Sequence, residues 1–333
     1  MSWGFQPDAS RALALRDEIN TRLISSLRYV FGEVGDALGC DADRFAAWVA
    51  ALEQAVRPDP LIHVLFHSIV ADVQAGDIDA ARRAAERMLT LGAAREGLTV
   101  NALDAEDDAP RPAVLFARFA DIEDDNRLDF VAPDPALAGD FKTLIEGGIE
   151  LIRRNDPALD GELRTLLTDV LLASQAPSHL FTTAALSCFQ NWGSLLVNPN
   201  CQRDVIDVVE TLAHEATHLT LFALALDEPL LNNDPNARYF SPLRQAQRSM
   251  DGVYHATIVS ARVTRALLQQ ARATDDPEVR AVALERAEIA AVYFDEGLLV
   301  IEPNADFSPL GRQVLDDCKA FMAEARTNLA NAA

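Results

Sequence analysis

The sequence predicts a mainly α-helical, multi-helical protein with a few short β-strands. Long stretches carry apolar residues three and four positions apart, the spacing that places them on one face of a helix. Clusters of glycine, proline, asparagine and aspartate separate these stretches and favour turns. With 333 residues, 49% of them hydrophobic, the protein is long enough to bury a large core in one large domain or two smaller ones.

Four helices are predicted in the first hundred residues. Asp41 or Asp43 can cap the second helix, two prolines precede the third, and Asp77 begins the fourth. The predicted helices cover residues 9–34, 41–56, 58–73 and 77–91.

The composition changes over residues 100–136, where acidic residues and prolines indicate turns and loops around one apolar stretch, 113–119. We expect a domain boundary here, between an N-terminal helical region, 1–125, and a catalytic region, 126–333, although the two can also form one continuous domain.

The second half returns to helical patterns, with one exception. Residues 181–198 mix aromatic and apolar residues with threonine, serine and cysteine, which suits a pair of short strands with a turn near Gly193. We expect these strands beside the helix that follows, and a polar loop over 227–250. The predicted helices cover residues 136–173 with a break near 155–157, then 205–222, 251–273, 277–300 and 307–329.

The motif His-Glu-x-x-His lies within the predicted helix 205–222, at His214, Glu215 and His218. Residues four apart on a helix share a face, so the two imidazoles can bind one metal ion, and Glu215 flanks that ion. The alternative is a polar helix face that carries the motif by chance. The surrounding apolar residues favour a metal site, because buried polar groups without partners are costly.

A third protein ligand is needed, and His255 is the main candidate. It lies near the start of a helix that can pack antiparallel to the metal helix; the alternative is a histidine at the surface or in a helix cap. Leu221 and Leu224 occupy the positions where a metzincin has glycine and histidine, which excludes that family. Glutamates are weaker candidates for the third ligand: Glu228, Glu285, Glu288 and Glu296.

A second histidine pair, His63 and His67, is also spaced four apart. No glutamate lies between the two residues, and we interpret them as structural or partly exposed.

Arg244 and Arg248 lie between the two predicted metal-binding helices. They can form ion pairs with surface carboxylates, or they can bind the carboxylate of a ligand, for which a guanidinium is well suited.

The overall charge argues against nucleic acid as a partner. The net charge is -22, from 51 acidic and 29 basic residues, and we found no local basic patch. No apolar run is suited to spanning a bilayer, and no signal peptide is recognisable. The four cysteines are scattered, which is typical of a cytoplasmic protein with reduced thiols.

The sequence His-Glu-Ala-Thr-His, followed by Ser-Pro-Leu-Arg and by Asp-Gly-Val-Tyr-His-Ala-Thr, resembles the bacterial "HEXXH motif" family. The resemblance covers about residues 180–265. It implies a dioxygenase dependent on Fe(II) and 2-oxoglutarate that hydroxylates the Cβ atom of a residue in a ribosomally made peptide, without the double-stranded β-helix of most such enzymes. It also implies that His214, His218 and His255 bind iron and that Arg244 or Arg248 binds 2-oxoglutarate. Glu215 would be a base, a hydrogen-bond partner or a ligand. The family commonly has Asp-Pro-Arg-Pro where this protein has residues 246–249.

Two alternatives remain open. A zinc metallopeptidase would use Glu215 as the general base on a zinc-bound water. A non-catalytic relative would bind a peptide only. In the preferred interpretation the N-terminal region recognises a leader segment of the precursor peptide.

Overall fold

A computed structural model describes residues 3–92, 97–103, 111–119, 130–176 and 183–332. Within these ranges the protein is mainly helical, and the described strands are short and form no closed barrel, which confirms the predicted fold class. The described α-helices are α1 (Ala9–Val34), α2 (Ala42–Glu53), α3 (Leu61–Ala75), α4 (Ile78–Met88), α5 (Arg111–Phe119), α6 (Pro135–Asn155), α7 (Pro157–Leu166), α8 (Val205–Leu224), α9 (Met250–Ala273), α10 (Pro277–Asn304) and α11 (Pro309–Ala332). The strands are β1 (Thr99–Ala102), β2 (Phe130–Val131), β3 (Asp169–Leu172), β4 (Ser174–Gln175), β5 (Ala185–Leu186), β6 (Ser194–Val197), β7 (Tyr239–Ser241) and β8 (Ala246–Arg248).

Several helices begin where the sequence predicts, because aspartates cap them. The Asp41 carboxylate accepts a hydrogen bond from the Arg44 amide at the start of α2, and Asp77 does the same for Ala80 at the start of α4. Helix α9 begins slightly before the predicted residue 251, because the Ser249 hydroxyl caps it by accepting from the Gly252 amide.

The protein forms two compact units, each assembled from separate segments. The first comprises residues 1–15, 141–165 and 202–333, and the second comprises residues 16–140 and 166–201. The boundary predicted near residue 125 lies outside the described residues and stays a prediction.

A four-stranded sheet of order β1-β3-β6-β5 organises the second unit. Strands β1, β3 and β6 are parallel, and β5 pairs with β6 in antiparallel register, Ala185 opposite Val197. Gly193, with φ of 96°, makes the turn that leads into β6. The predicted strand pair before the metal helix is therefore confirmed for β5 and β6, while residues 177–182 lie outside the described ranges.

One local prediction in the second unit is wrong. The helix predicted to reach residue 173 ends at Leu166, and β3 follows it, because the apolar run from Val170 to Leu172 is buried between two parallel neighbours. The apolar stretch 113–119, around which we expected turns and loops, forms most of helix α5.

Helices α8 to α11 form most of the first unit, in which α9 packs against α8, α10 and α11. Gly297 of α10 lies directly against the side chain of Thr257, so α9 and α10 approach closely. Arg262 of α9 forms a buried ion pair with Glu162, and its guanidinium also donates to the carbonyl oxygen of Phe5. This pair therefore fixes the N-terminal residues to the helices of the unit.

The loop predicted over 227–250 contains a β-hairpin that the sequence did not predict. Strands β7 and β8 pair antiparallel, with Tyr239 opposite Arg248. None of the described helices is both long enough and apolar enough to cross a membrane.

Candidate functional site

Helix α8 carries the His-Glu-x-x-His motif and is fixed at its first turn. The Asp204 carboxylate accepts hydrogen bonds of 2.9 Å from the amides of Ile206 and Asp207. Both amides lie at the helix N-terminus and have no partner within the helix. Because no glycine or proline interrupts α8, its geometry holds the two histidines in a fixed relation.

His214 and His218 approach each other through the same ring nitrogen. Their Nε2 atoms are 3.2 Å apart. Two imidazole nitrogens that each lie about 2.1 Å from one ion, at an angle of about 90° to 110°, are about 3.0 to 3.4 Å apart. The spacing of this pair therefore fits two neighbouring ligands of one metal ion.

His255 of α9 completes a cluster of three imidazoles, but it approaches the other nitrogen of His218. The Nδ1 atoms of His218 and His255 are 3.4 Å apart, and the two rings are nearly parallel, at 22°. Among the residues that the structure describes, no three histidine, cysteine, aspartate or glutamate side chains are placed to hold a metal ion. The donor set fits a metal in its chemistry, and a ring rotation at His218 or His255 is needed before three nitrogens face one point.

The three imidazoles are neutral at physiological pH. Burial, with a smaller contribution from the positive charge of Arg244, lowers the pKa of His214 to about 4. Burial also lowers the pKa of His218 well below its usual value, with contributions from His214, His255 and Arg244. The pKa of His255 is lowered by burial, although the Asp251 carboxylate opposes this. Neutral imidazole is the form that binds metals.

The Glu215 carboxyl lies beside the same nitrogen of His214. Its Oε1 atom is 3.9 Å from His214 Nε2, and its side chain is 3% exposed, whereas the His214 side chain is 30% exposed. The cluster is thus open to solvent at His214. The role predicted for Glu215, as a base, a hydrogen-bond partner or a ligand, stays a prediction.

The hairpin brings Arg244 to the histidines. The turn between β7 and β8 has Gln245 in the left-handed region, φ 49°, and its side-chain amide donates to the Pro242 carbonyl oxygen at 2.6 Å. The guanidinium of Arg244, on the same turn, is close enough to lower the pKa of both His214 and His218. Arg244 is exposed, and no carboxylate among the described residues forms an ion pair with it.

Arg248 occupies a different place. It ends β8, and its side chain runs beside Gly252 in the first turn of α9: a Cβ atom on Gly252 would be 3.7 Å from Arg248 Nε. The structure therefore distinguishes the two predicted arginines, because the charge of Arg244 acts on the histidine pair.

Two neighbours of the cluster were not predicted. The Asp251 carboxylate is 3.8 Å from His255 Nε2, one helical turn earlier on α9. Phe222 contacts both His218 and His255, with ring centroids 6.0 and 5.6 Å apart. Both residues lie four positions from a histidine of the cluster, and this spacing was visible in the sequence.

Comparison with known proteins leaves the family open. No protein-family model matches the sequence, and no curated protein matches it significantly.

Proposed function

We propose that this protein is a peptide hydroxylase, a dioxygenase dependent on Fe(II) and 2-oxoglutarate. The observation that carries the proposal is the place of Arg244, a guanidinium without a carboxylate partner among the described residues, whose charge acts on the His214–His218 pair. A cation beside a metal site needs an anionic partner to be favourable. A metal site that also binds a dicarboxylate provides that partner, because a guanidinium binds a carboxylate strongly.

In this proposal His214, His218 and His255 would hold the iron, and Arg244 would bind the carboxylate of 2-oxoglutarate that lies away from the metal. Bound Fe(II) and 2-oxoglutarate would supply the oxidation: O₂, 2-oxoglutarate and a C–H bond of the peptide give the C–OH product, succinate and CO₂. The packing of Phe222 against His218 and His255 keeps water from that side of the rings. Glu215 would hold or move a proton beside His214 Nε2.

The test is anaerobic addition of 2-oxoglutarate to the protein reconstituted with Fe(II), followed by visible absorption spectroscopy. We expect the weak charge-transfer band of a chelated keto acid. In Arg244→Ala the band should need roughly ten- to hundredfold more 2-oxoglutarate, because a hydrogen bond to a charged group contributes about 1.5–3 kcal/mol. Arg238→Ala is the matched control, since Arg238 lies on the preceding loop and donates to the carbonyl oxygens of Pro235 and Ala237.

A zinc metallopeptidase is the second candidate, favoured by the Glu215 carboxyl 3.9 Å from His214 Nε2. In that case the iron-loaded protein would give no band, zinc would bind stoichiometrically, and Glu215→Gln would abolish peptide cleavage without releasing the metal. Arg244→Ala would leave such a peptidase largely competent.

A further inference from the structure

Helix α10 presents an unusual outer face in the first unit. Three large apolar side chains lie next to each other on it, Ile289, Val292 and Tyr293, which are 47%, 53% and 38% exposed, and Leu299 follows Val292 two turns later and is 78% exposed. Their spacing places them on one side of the helix. The opposite side of α10 buries small residues and Phe294. An outward face of a surface helix is normally polar, so three adjacent exposed apolar residues indicate a surface that binds something.

Two carboxylates lie on the same face, one on either side of Ile289, Val292 and Tyr293. Glu285 is one turn before Ile289, and Glu296 is one turn after Val292. Eleven residues separate them, which corresponds to about 16 Å along the helix axis. Neither forms an ion pair with a described residue. Arg286, the basic residue within this stretch, is 11% exposed and pairs with carboxylates at the start of α8.

We call residues Glu285, Ile289, Val292, Tyr293 and Glu296 the acidic–apolar face. It is continuous with the hairpin that carries Arg244. Tyr293 and the nearby Gly297 line a small pocket with three residues of the hairpin, Ser241, Pro242 and Leu243. Arg244 is the next residue in the sequence. A ligand bound on the acidic–apolar face can therefore extend along the turn between β7 and β8 to the candidate site.

We infer that the acidic–apolar face docks a basic, apolar segment of the peptide substrate, outside the residue that is modified. The inference rests on the proposed function in that the substrate is a peptide. The matching segment has apolar side chains between two lysines or arginines about 16 Å apart. A second copy of this protein is a poor occupant, because it would place glutamates against glutamates between two molecules that each carry a net charge of -22.

The test uses the full-length protein without added metal or 2-oxoglutarate. The probe is a fluorescein-labelled synthetic 14-residue peptide with leucine and isoleucine at helical spacing and a lysine pair at each end, so that the inner lysines of a helix are about 16 Å apart. A second peptide has glutamate in place of every lysine. Fluorescence anisotropy should show saturable binding of the basic peptide, and at least roughly tenfold weaker binding of the acidic peptide.

Variants then locate the binding surface. Glu285→Lys combined with Glu296→Lys should weaken binding of the basic peptide roughly tenfold or more, since both attractions become repulsions. Val292→Asp should weaken it similarly. Glu86→Lys combined with Glu33→Lys makes the same change in net charge on exposed helical positions of the second unit, and Val56→Asp places the same charge on an exposed valine there; both should bind as the unchanged protein does.

The inference is overturned if the basic peptide does not bind, if both peptides bind equally, or if the control variants weaken binding as much as the variants of the face. It is also overturned if sedimentation shows a dimer that Val292→Asp dissociates, because the face would then be an interface between copies. Since no iron or 2-oxoglutarate is present, failure here is separate from failure of the charge-transfer experiment.

Discussion

We expect acid to destabilise the folded second unit through protonation of His63. This residue lies in α3 and is 4% exposed, with its ring centroid 6.3 Å from that of Trp192. Burial lowers its pKa from 6.5 to about 3, with a smaller contribution from the nearby His67. The neutral ring fits the apolar core, whereas the protonated ring would carry a charge out of water.

The sign of the effect follows from proton binding. Between pH 6.5 and pH 3 the unfolded protein protonates His63 and the folded protein does not, so the unfolded state binds more protons and the folded state loses stability as the pH falls. Each pKa unit corresponds to about 1.4 kcal/mol. The loss in the free energy of unfolding that His63 causes therefore approaches about 5 kcal/mol below pH 3. Between pH 7 and pH 5 the expected loss in the free energy of unfolding is about 2 kcal/mol.

The assay is urea unfolding at pH 7 and pH 5 for the unchanged protein and for His63→Leu, which fills a similar volume and binds no proton. The variant should lose about 2 kcal/mol less than the unchanged protein over this interval. The three histidines of the candidate site are present in both proteins, so their contribution cancels. An equal loss in the two proteins, or an NMR titration of His63 near pH 6.5 in the folded protein, would refute the reasoning.

Two further predictions concern the first unit. Glu162→Ala should lower the free energy of unfolding by about 3–5 kcal/mol, because it leaves the buried guanidinium of Arg262 unpaired. Calorimetry should also show that the double variant Glu162→Leu with Arg262→Met recovers most of the loss; no recovery would contradict the argument. On the hypothesis that Asp251, which lies 3.8 Å from His255 Nε2, orients that ring, Asp251→Asn should weaken binding of Co(II) or Fe(II) about ten- to hundredfold. Isothermal titration measures this, and an unchanged affinity would show that Asp251 has no such role.

Most of the helices could be predicted from local sequence, because their signals are local. Asp41 and Asp77 cap α2 and α4 through hydrogen bonds to amides three residues away, and the sequence shows both. The parallel sheet could not be predicted in the same way. Strand β1 pairs with β3 some seventy residues later in the sequence, and the apolar run of β3 is equally compatible with a buried helix segment.

The candidate site likewise combines features that local sequence predicts with features that depend on tertiary packing. The spacing of His214 and His218 follows from helix geometry, and their Nε2 atoms are indeed close, at 3.2 Å. The side of His218 that His255 approaches depends on how α8 and α9 pack and on ring rotamers, which the sequence does not encode locally. The β7–β8 hairpin was also not predicted, because β8, Ala246–Arg248, is short and largely polar. The sequence therefore predicts the candidate residues, whereas the difference in position between Arg244 and Arg248 depends on tertiary packing.

The charge of Arg244 bears on which ligand the site favours. By lowering the pKa of His214 and His218, it opposes positive charge at the nitrogens that would bind a metal. The positive charge of Arg244 also repels a divalent cation whose remaining ligands are all water molecules. A carboxylate between the cation and the guanidinium turns that repulsion into two attractions, because it interacts favourably with both. In a protein with net charge -22, a cation near the histidines therefore supports the proposed anionic co-substrate over a metal that acts alone.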